Sequence, residues 1–189
     1  HGVINVVGVS HFVRMLNKAV EDLKAGKGVE TEEVQSVTIE LPIPSFIPDT
    51  YIVNSKDKIN AYQKLSSADT FEYLDEIKED LIEDYGKLPS EVLSLFRILE
   101  IKILAKEAGL TNVRAENMHL EKGRKIVLMM SKRVKPENIM NLLSFNPRWE
   151  ISGTRLVIGV EDLGVHWVDV LKENVKQLSG SIRDKKRKK

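Results

Sequence analysis

The chain has 189 residues, 42% of them hydrophobic and 30% charged, with a formal net charge of +1 at pH 7. That composition supports a buried core and excludes global disorder, no run approaches the ~18 apolar residues of a membrane span, and no charged-then-apolar signal segment opens the sequence. The absence of cysteine excludes a disulfide framework and every thiolate metal site, and the expectation is an intracellular, cytoplasmic protein.

His1–Gly8 is short and apolar. Ser10 is suited to cap a helix to about Ala25, whose stripe is Phe12, Val13, Leu16, Val20 and Leu23, and Gly26-Lys27-Gly28 stops it. Ser36–Leu41 alternates as a strand does. Pro42, Pro44 and Pro48 then make Leu41–Ile52 an extended connection, because each proline restricts its predecessor and donates no hydrogen bond. Lys56–Ser66 reads as a short helix through Ile59, Tyr62 and Leu65.

The next segment is the most distinctive. From Asp69 to Asp84 there are eight acids against one base, Lys78. At about 100° per residue, Phe71, Leu74, Ile77, Leu81 and Tyr85 gather on one side, and Glu76, Asp80 and Glu83 gather on the other. This predicts a core-docked helix with an anionic outer face, ended by Gly86. Such a face is either solvated surface or a docking site for a basic partner.

Pro89-Ser90-Glu91 opens a long helix to Ala108 with Ser90 expected as its cap. Apolar residues surround nearly the whole cylinder, which predicts the buried centre of the domain. Gly109-Leu110 reads as its stop. Val113–Leu120 and Ile126–Met130 follow as strands turned at Glu121-Lys122-Gly123. Pro136–Phe145 is a helix with proline in its first turn. Trp149–Ile151 and Leu156–Ile158 form a second strand pair about Gly153, and Val165–Leu178 a last amphipathic helix. The expected fold is α/β (α+β): an N-terminal helical cluster around a buried long helix, packed with a small mixed β-sheet.

No constellation points to catalysis. His1, His11, His119 and His166 follow no ligand spacing such as HExxH. The acidic helix lacks the glycine-turned loop of a calcium site. Gly26-Lys27-Gly28 is not a phosphate-cradling loop, since no Ser or Thr follows the lysine, and neither GxGxxG nor GxSxG occurs. The carboxylates are expected to be exposed, without the burial that raises a pKa for acid-base work. Aromatics at Phe46, Phe71, Tyr85, Phe96 and Trp167 fall at core-facing spacings. The tail Arg183–Lys189 has six bases and one acid, a composition that suits either nucleic-acid phosphates or a solubilising terminus.

The segments Leu41-Pro42, Phe46-Ile47-Pro48-Asp49 and Tyr51-Ile52, then Tyr62 and Leu65, Glu76-Ile77, Leu81-Ile82, Tyr85-Gly86, Leu88-Pro89 and Ala108-Gly109-Leu110, in this order, carry a resemblance. Over about Ser36–Leu178 the chain resembles the C-terminal domain of the bacterial transcription-repair coupling factors, the Mfd family. From Val113 onward only the pattern agrees. Residues 1–35, through Met15, Leu16, Ala19 and Val20, resemble the end of the adjoining motor region and a linker, although Ser10, His11 and Phe12 replace the acid and tyrosine usual there. This implies a regulatory domain over 36–180 and a basic tail at 181–189.

The resemblance further implies a parent that is an ATP-driven DNA translocase, using ATP and Mg, acting on stalled RNA polymerase and DNA, and recruiting nucleotide excision repair. The fragment itself is expected to be non-catalytic and to hold no cofactor and no metal. It is implied to be an autoinhibitory lid that docks on the parent's UvrB-like N-terminal module and masks the UvrA-binding surface. Asp80 and Glu83 match a family acid pair, and Glu76 lies one turn earlier on the same side. The alternative is a nucleic-acid-binding accessory module acting through the basic tail.

Overall fold

The computed structural model describes residues 36–117 and 123–180. The expected helix near residues 10–25, the end of the strand at 118–120, the turn at 121 and 122, the basic tail, and His1, His11 and His119 lie outside the described residues. The chain forms two compact units, one containing Pro42–Leu99 and the other the strand segment ending at Leu41 together with the chain from Glu100 onward.

The first unit begins with the proline-rich connection. It contains no helix or strand up to Asn54, and its turn is closed by Tyr51 N and Ile52 N donating to Pro48 O at 3.0 and 3.2 Å. Two tyrosines pin it down. Ile47 N donates to the Tyr62 hydroxyl at 2.8 Å. The Tyr51 hydroxyl lies 2.9 Å from Leu81 O and 3.0 Å from Gly86 O, its one proton serving either. Helix α1 (Ser55–Ser67) starts where Asn54 Oδ1 accepts from Lys56 N and Asp57 N, which satisfies orphan donors of the first turn. Helix α2 (Phe71–Tyr85) packs on α1. Ile47, Ile52, Leu65, Leu74, Ile77, Leu81, Leu88, Val92, Leu95 and Phe96 are buried.

Helix α3 (Ser90–Ala108) crosses the boundary between the units after Leu99. It is buried at Val92, Leu95 and Phe96, and again at Ile101, Ile103, Leu104, Ala105 and Ala108, but its apolar girdle is not buried all round, since Leu93 is 36% exposed. Ser90 does not cap it as expected. Its hydroxyl donates to the carboxylate of Glu91, and Leu93 N finds the carbonyl of Pro89.

The second unit is built on a five-stranded mixed sheet of order β1-β2-β3-β5-β4. Its strands are β1 (Thr38–Glu40), β2 (Leu110–Asn117), β3 (Arg124–Met130), β4 (Glu150–Ser152) and β5 (Arg155–Gly159). β1 and β2 are parallel, with Ile39 opposite Val113, and every other pair is antiparallel. A parallel pair needs a crossover connection, and here it runs through Pro42–Leu99 and the end of α3. β2 starts three residues before the expected Val113 because a register shift between Leu110 and Asn112 lets pairing begin early.

Val113, Ile126, Leu128, Leu156 and Ile158 share one sheet face and are buried. Helix α4 (Pro136–Phe145) packs on α6 (Trp167–Ser179). A short α5 (Val160–Leu163), unpredicted, sits between β5 and α6. The stripe of α6 includes a fully buried asparagine, Asn174. Its Oδ1 accepts from Trp149 Nε1 at 2.7 Å and Asn146 Nδ2 at 3.1 Å, and its Nδ2 donates to Val170 O at 2.6 Å. Of the aromatics expected in the core, Phe96 is buried, whereas Tyr85 is 36% exposed. Among the described residues no helix is long and apolar enough to cross a membrane.

Candidate protein-docking surface

The acidic helix is defined at both ends by its sequence. Thr70 Oγ1 accepts from Tyr73 N at 3.2 Å as the N-cap. Gly86, at φ 81°, ends the helix while its N–H reaches Ile82 O at 2.9 Å. The inward stripe is Leu74, Ile77 and Leu81, all buried. Tyr85 belongs to it only in part. Its ring is tilted against that of Tyr51 with centroids 5.8 Å apart, and burial raises the Tyr51 phenol above its ordinary pKa, with a further push from Tyr85.

Glu76, Asp80 and Glu83 are exposed, as are Asp75, Glu79 and Asp84. On a helix, 76, 80 and 83 fall within about 60° of one another. Ile82, 45% exposed, sits between Asp80 and Glu83 in the chain. The three carboxylates are not electrostatically equivalent. Asp80 Oδ2 accepts from Lys64 Nζ of α1 at 3.0 Å, both side chains being more than half exposed. That hydrogen bond, then the charge of Asp80, holds the Lys64 ammonium above its usual pKa, with smaller help from Tyr73 and Asp84. Among the described residues no cation lies within ion-pair distance of Glu76 or Glu83. Sequence reasoning missed Lys64, since a contact spanning sixteen residues between two helices leaves no periodic trace.

No other cluster competes as a reactive site. Among the described residues no group of three or more His, Cys, Asp or Glu side chains is placed to hold a metal ion. The densest ionic network, on β2, β3 and β5, surrounds Glu116 with Arg114 (2.8 Å from Nε), Arg155 (2.9 Å) and Lys125 (3.6 Å). It joins three strands and leaves its one carboxylate fully engaged.

A family model described as the TRCF domain matches residues 41–139. The transcription-repair-coupling factor of Borreliella burgdorferi (strain B31) is 36% identical over 155 residues, covering 80% of this chain. That of Staphylococcus aureus (strain USA300) is 31% identical over 191 residues, covering 97%. This chain spans only 14% and 16% of those two proteins. The fold is similar to a crystal structure of the C-terminal domain of transcription-repair coupling factor, with a TM-score of 0.59 and 22% identity over 78% of this chain and 97% of the other.

Proposed function

Since the chain belongs to the TRCF-domain family of transcription-repair coupling factors, we propose that it is the regulatory C-terminal part of an ATP-driven DNA translocase and acts there as an autoinhibitory lid. In this reading the outer face of α2 docks on the basic surface of the parent's UvrB-like module and so covers the surface that receives UvrA. RNA polymerase and DNA are engaged by other parts of the parent, which also bind ATP and Mg, and the domain itself turns nothing over.

The observation that carries the reading is the exposed line Glu76, Asp80, Glu83 on a helix whose opposite side is anchored by Leu74, Ile77 and Leu81. The anchored side keeps the helix from reorienting, so the carboxylates are presented in fixed register. Carboxylates meeting arginines across a rim give specificity and fast, salt-dependent association with modest affinity, because exposed ion pairs contribute only about 0.2–1 kcal/mol each. A lid suits that scale. A latch of ~2–3 kcal/mol leaves a percent or so open, so that a partner selecting the open state shifts it readily.

The test is binding of the purified domain to the parent's UvrB-like module at low and raised salt, beside the Asp80→Arg/Glu83→Arg variant. Binding that weakens with salt and disappears in the variant is expected. Equal binding of the variant, or no binding at low salt, would return α2 to a solvated surface.

A further inference from the structure

We propose that the free edge of β4 pairs with β4 of a second copy of this chain, as two antiparallel strands related by a two-fold axis at Ile151. The order β1-β2-β3-β5-β4 leaves β4 with one neighbour. The register sets a single row of side chains across the sheet, with Val113 opposite Leu128, Leu128 opposite Leu156 and Leu156 opposite Ile151. The first three are completely buried, whereas Ile151 is 53% exposed. The apolar row therefore runs out to the edge of the sheet and ends there in solvent.

The backbone of Ile151 faces the same way. Bonded and non-bonded pairs alternate along an antiparallel ladder. Met130 N donates to Thr154 O at 2.8 Å, one step beyond the Met129–Arg155 pair. By alternation, residues 154, 156 and 158 bond toward β3, and Arg155 and Val157 bond toward β4. Their opposites, Ser152 and Glu150, take up those bonds. The Ile151 N–H and C=O are left pointing outward. Edge strands are ordinarily blunted by proline, lysine or a bulge, and β4 has none of these.

A second copy satisfies these features together. With Ile151 opposite Ile151 of the second copy, each donates its N–H to the other's carbonyl, and the apolar row continues from one core into the next. Glu150 falls opposite Ser152 of the second copy instead of opposite another acid. Arg155 lies one strand further in, beside that serine. Strands are about 4.8 Å apart, so the glutamate and arginine side chains can span the two intervals. The junction is short, three residues a side. It buries well under the ~1,200 Å² of a standard interface, and the dissociation constant is expected at about 0.1–1 mM.

The experiment is sedimentation velocity of the full chain from about 10 µM to about 1 mM, a range that brackets this affinity. Beside it go Ile151→Lys, which sets two like charges opposite each other, and Ile151→Pro, which removes the outward N–H and suits an edge strand. Melting curves confirm that the variants fold. The unaltered chain is expected to pass from monomer to dimer, and dimerisation in both variants to weaken tenfold or more. Since the chain has no cysteine, Ile151→Cys gives a specific reporter. A hydrogen-bonded pair holds its Cα atoms ~5.5 Å apart, within disulfide reach, so mild oxidation should yield a covalent dimer. Val165→Cys, at a residue 92% exposed, should yield far less. A chain that stays monomeric throughout, a dimer unchanged in both variants, or equal cross-linking at Val165 and Ile151 would overturn the proposal. None of these outcomes depends on whether α2 docks on a protein.

Discussion

In the proposed docking, Lys64 and the partner compete for the Asp80 carboxylate. In the free domain Asp80 is already engaged at 3.0 Å, so a docking arginine must share or displace the lysine. Lys64→Gln is expected to tighten binding to the basic module by up to about fivefold, the most that ~0.2–1 kcal/mol for an exposed pair allows, with little change in melting temperature. Titration calorimetry checks it, and weaker binding would mean that Lys64 instead orders Asp80 for docking. Asn174 is a different case, because it satisfies two side-chain donors from a fully buried position. Asn174→Leu strands the Trp149 indole N–H and the Asn146 amide, and is expected to cost about 2–4 kcal/mol, seen as a lower denaturant midpoint. Glu116 sets a pH limit. The hydrogen bond from Arg114, and then the charges of Arg155, Arg114 and Lys125, outweigh partial burial and hold its carboxyl below the ordinary value. A folded pKa below the unfolded one contributes stability that is complete above the ordinary glutamate range and lost as pH falls through the depressed value. Glu116→Gln should therefore lower the melting temperature at neutral pH more than at acid pH, and parallel curves would argue against the network.

At the scale of elements, the helices and antiparallel strands were legible because each leaves a local signal. Gly86 ends α2 as expected, Pro136 opens α4 at the expected residue, and the 3.6-residue stripe of α2 named Leu74, Ile77 and Leu81 on its buried side, whereas the caps Asn54 and Thr70 were not read from the sequence. What was illegible is what depends on distant residues. Ser36–Leu41 read as a strand, but its parallel partner lies some seventy residues on at Asn112–Arg114, beyond any local pattern. Tyr85 fits the apolar stripe by angle, yet sits at the helix end, where Tyr51 covers only one side of it. The face of the candidate docking site was readable from spacing, and Lys64 was not. Gly109 joins elements in a way that only the structure displays, since its φ of 84° and the 2.9 Å approach of Arg133 both forbid a side chain. Gly109→Ala is expected to destabilise by about 1–3 kcal/mol. An unchanged melting curve would contradict the close packing.

For the whole molecule, the net charge of +1 conceals a division. Pro42–Leu99 holds eleven acids against six bases, a net of −5, so the rest of the chain carries +6. The negative charge of Pro42–Leu99 suits the basic protein surface that the proposed docking requires. Raised salt should weaken that docking, and charge reversal on α2 should abolish it. The most direct measurement is UvrA affinity of the full-length parent beside the same parent carrying Asp80→Arg with Glu83→Arg. If the acidic helix holds the lid shut, the variant binds UvrA about tenfold more tightly or better, a factor that corresponds to ~1.4 kcal/mol of released latch. Unchanged UvrA affinity in a correctly folded variant would contradict docking through this helix.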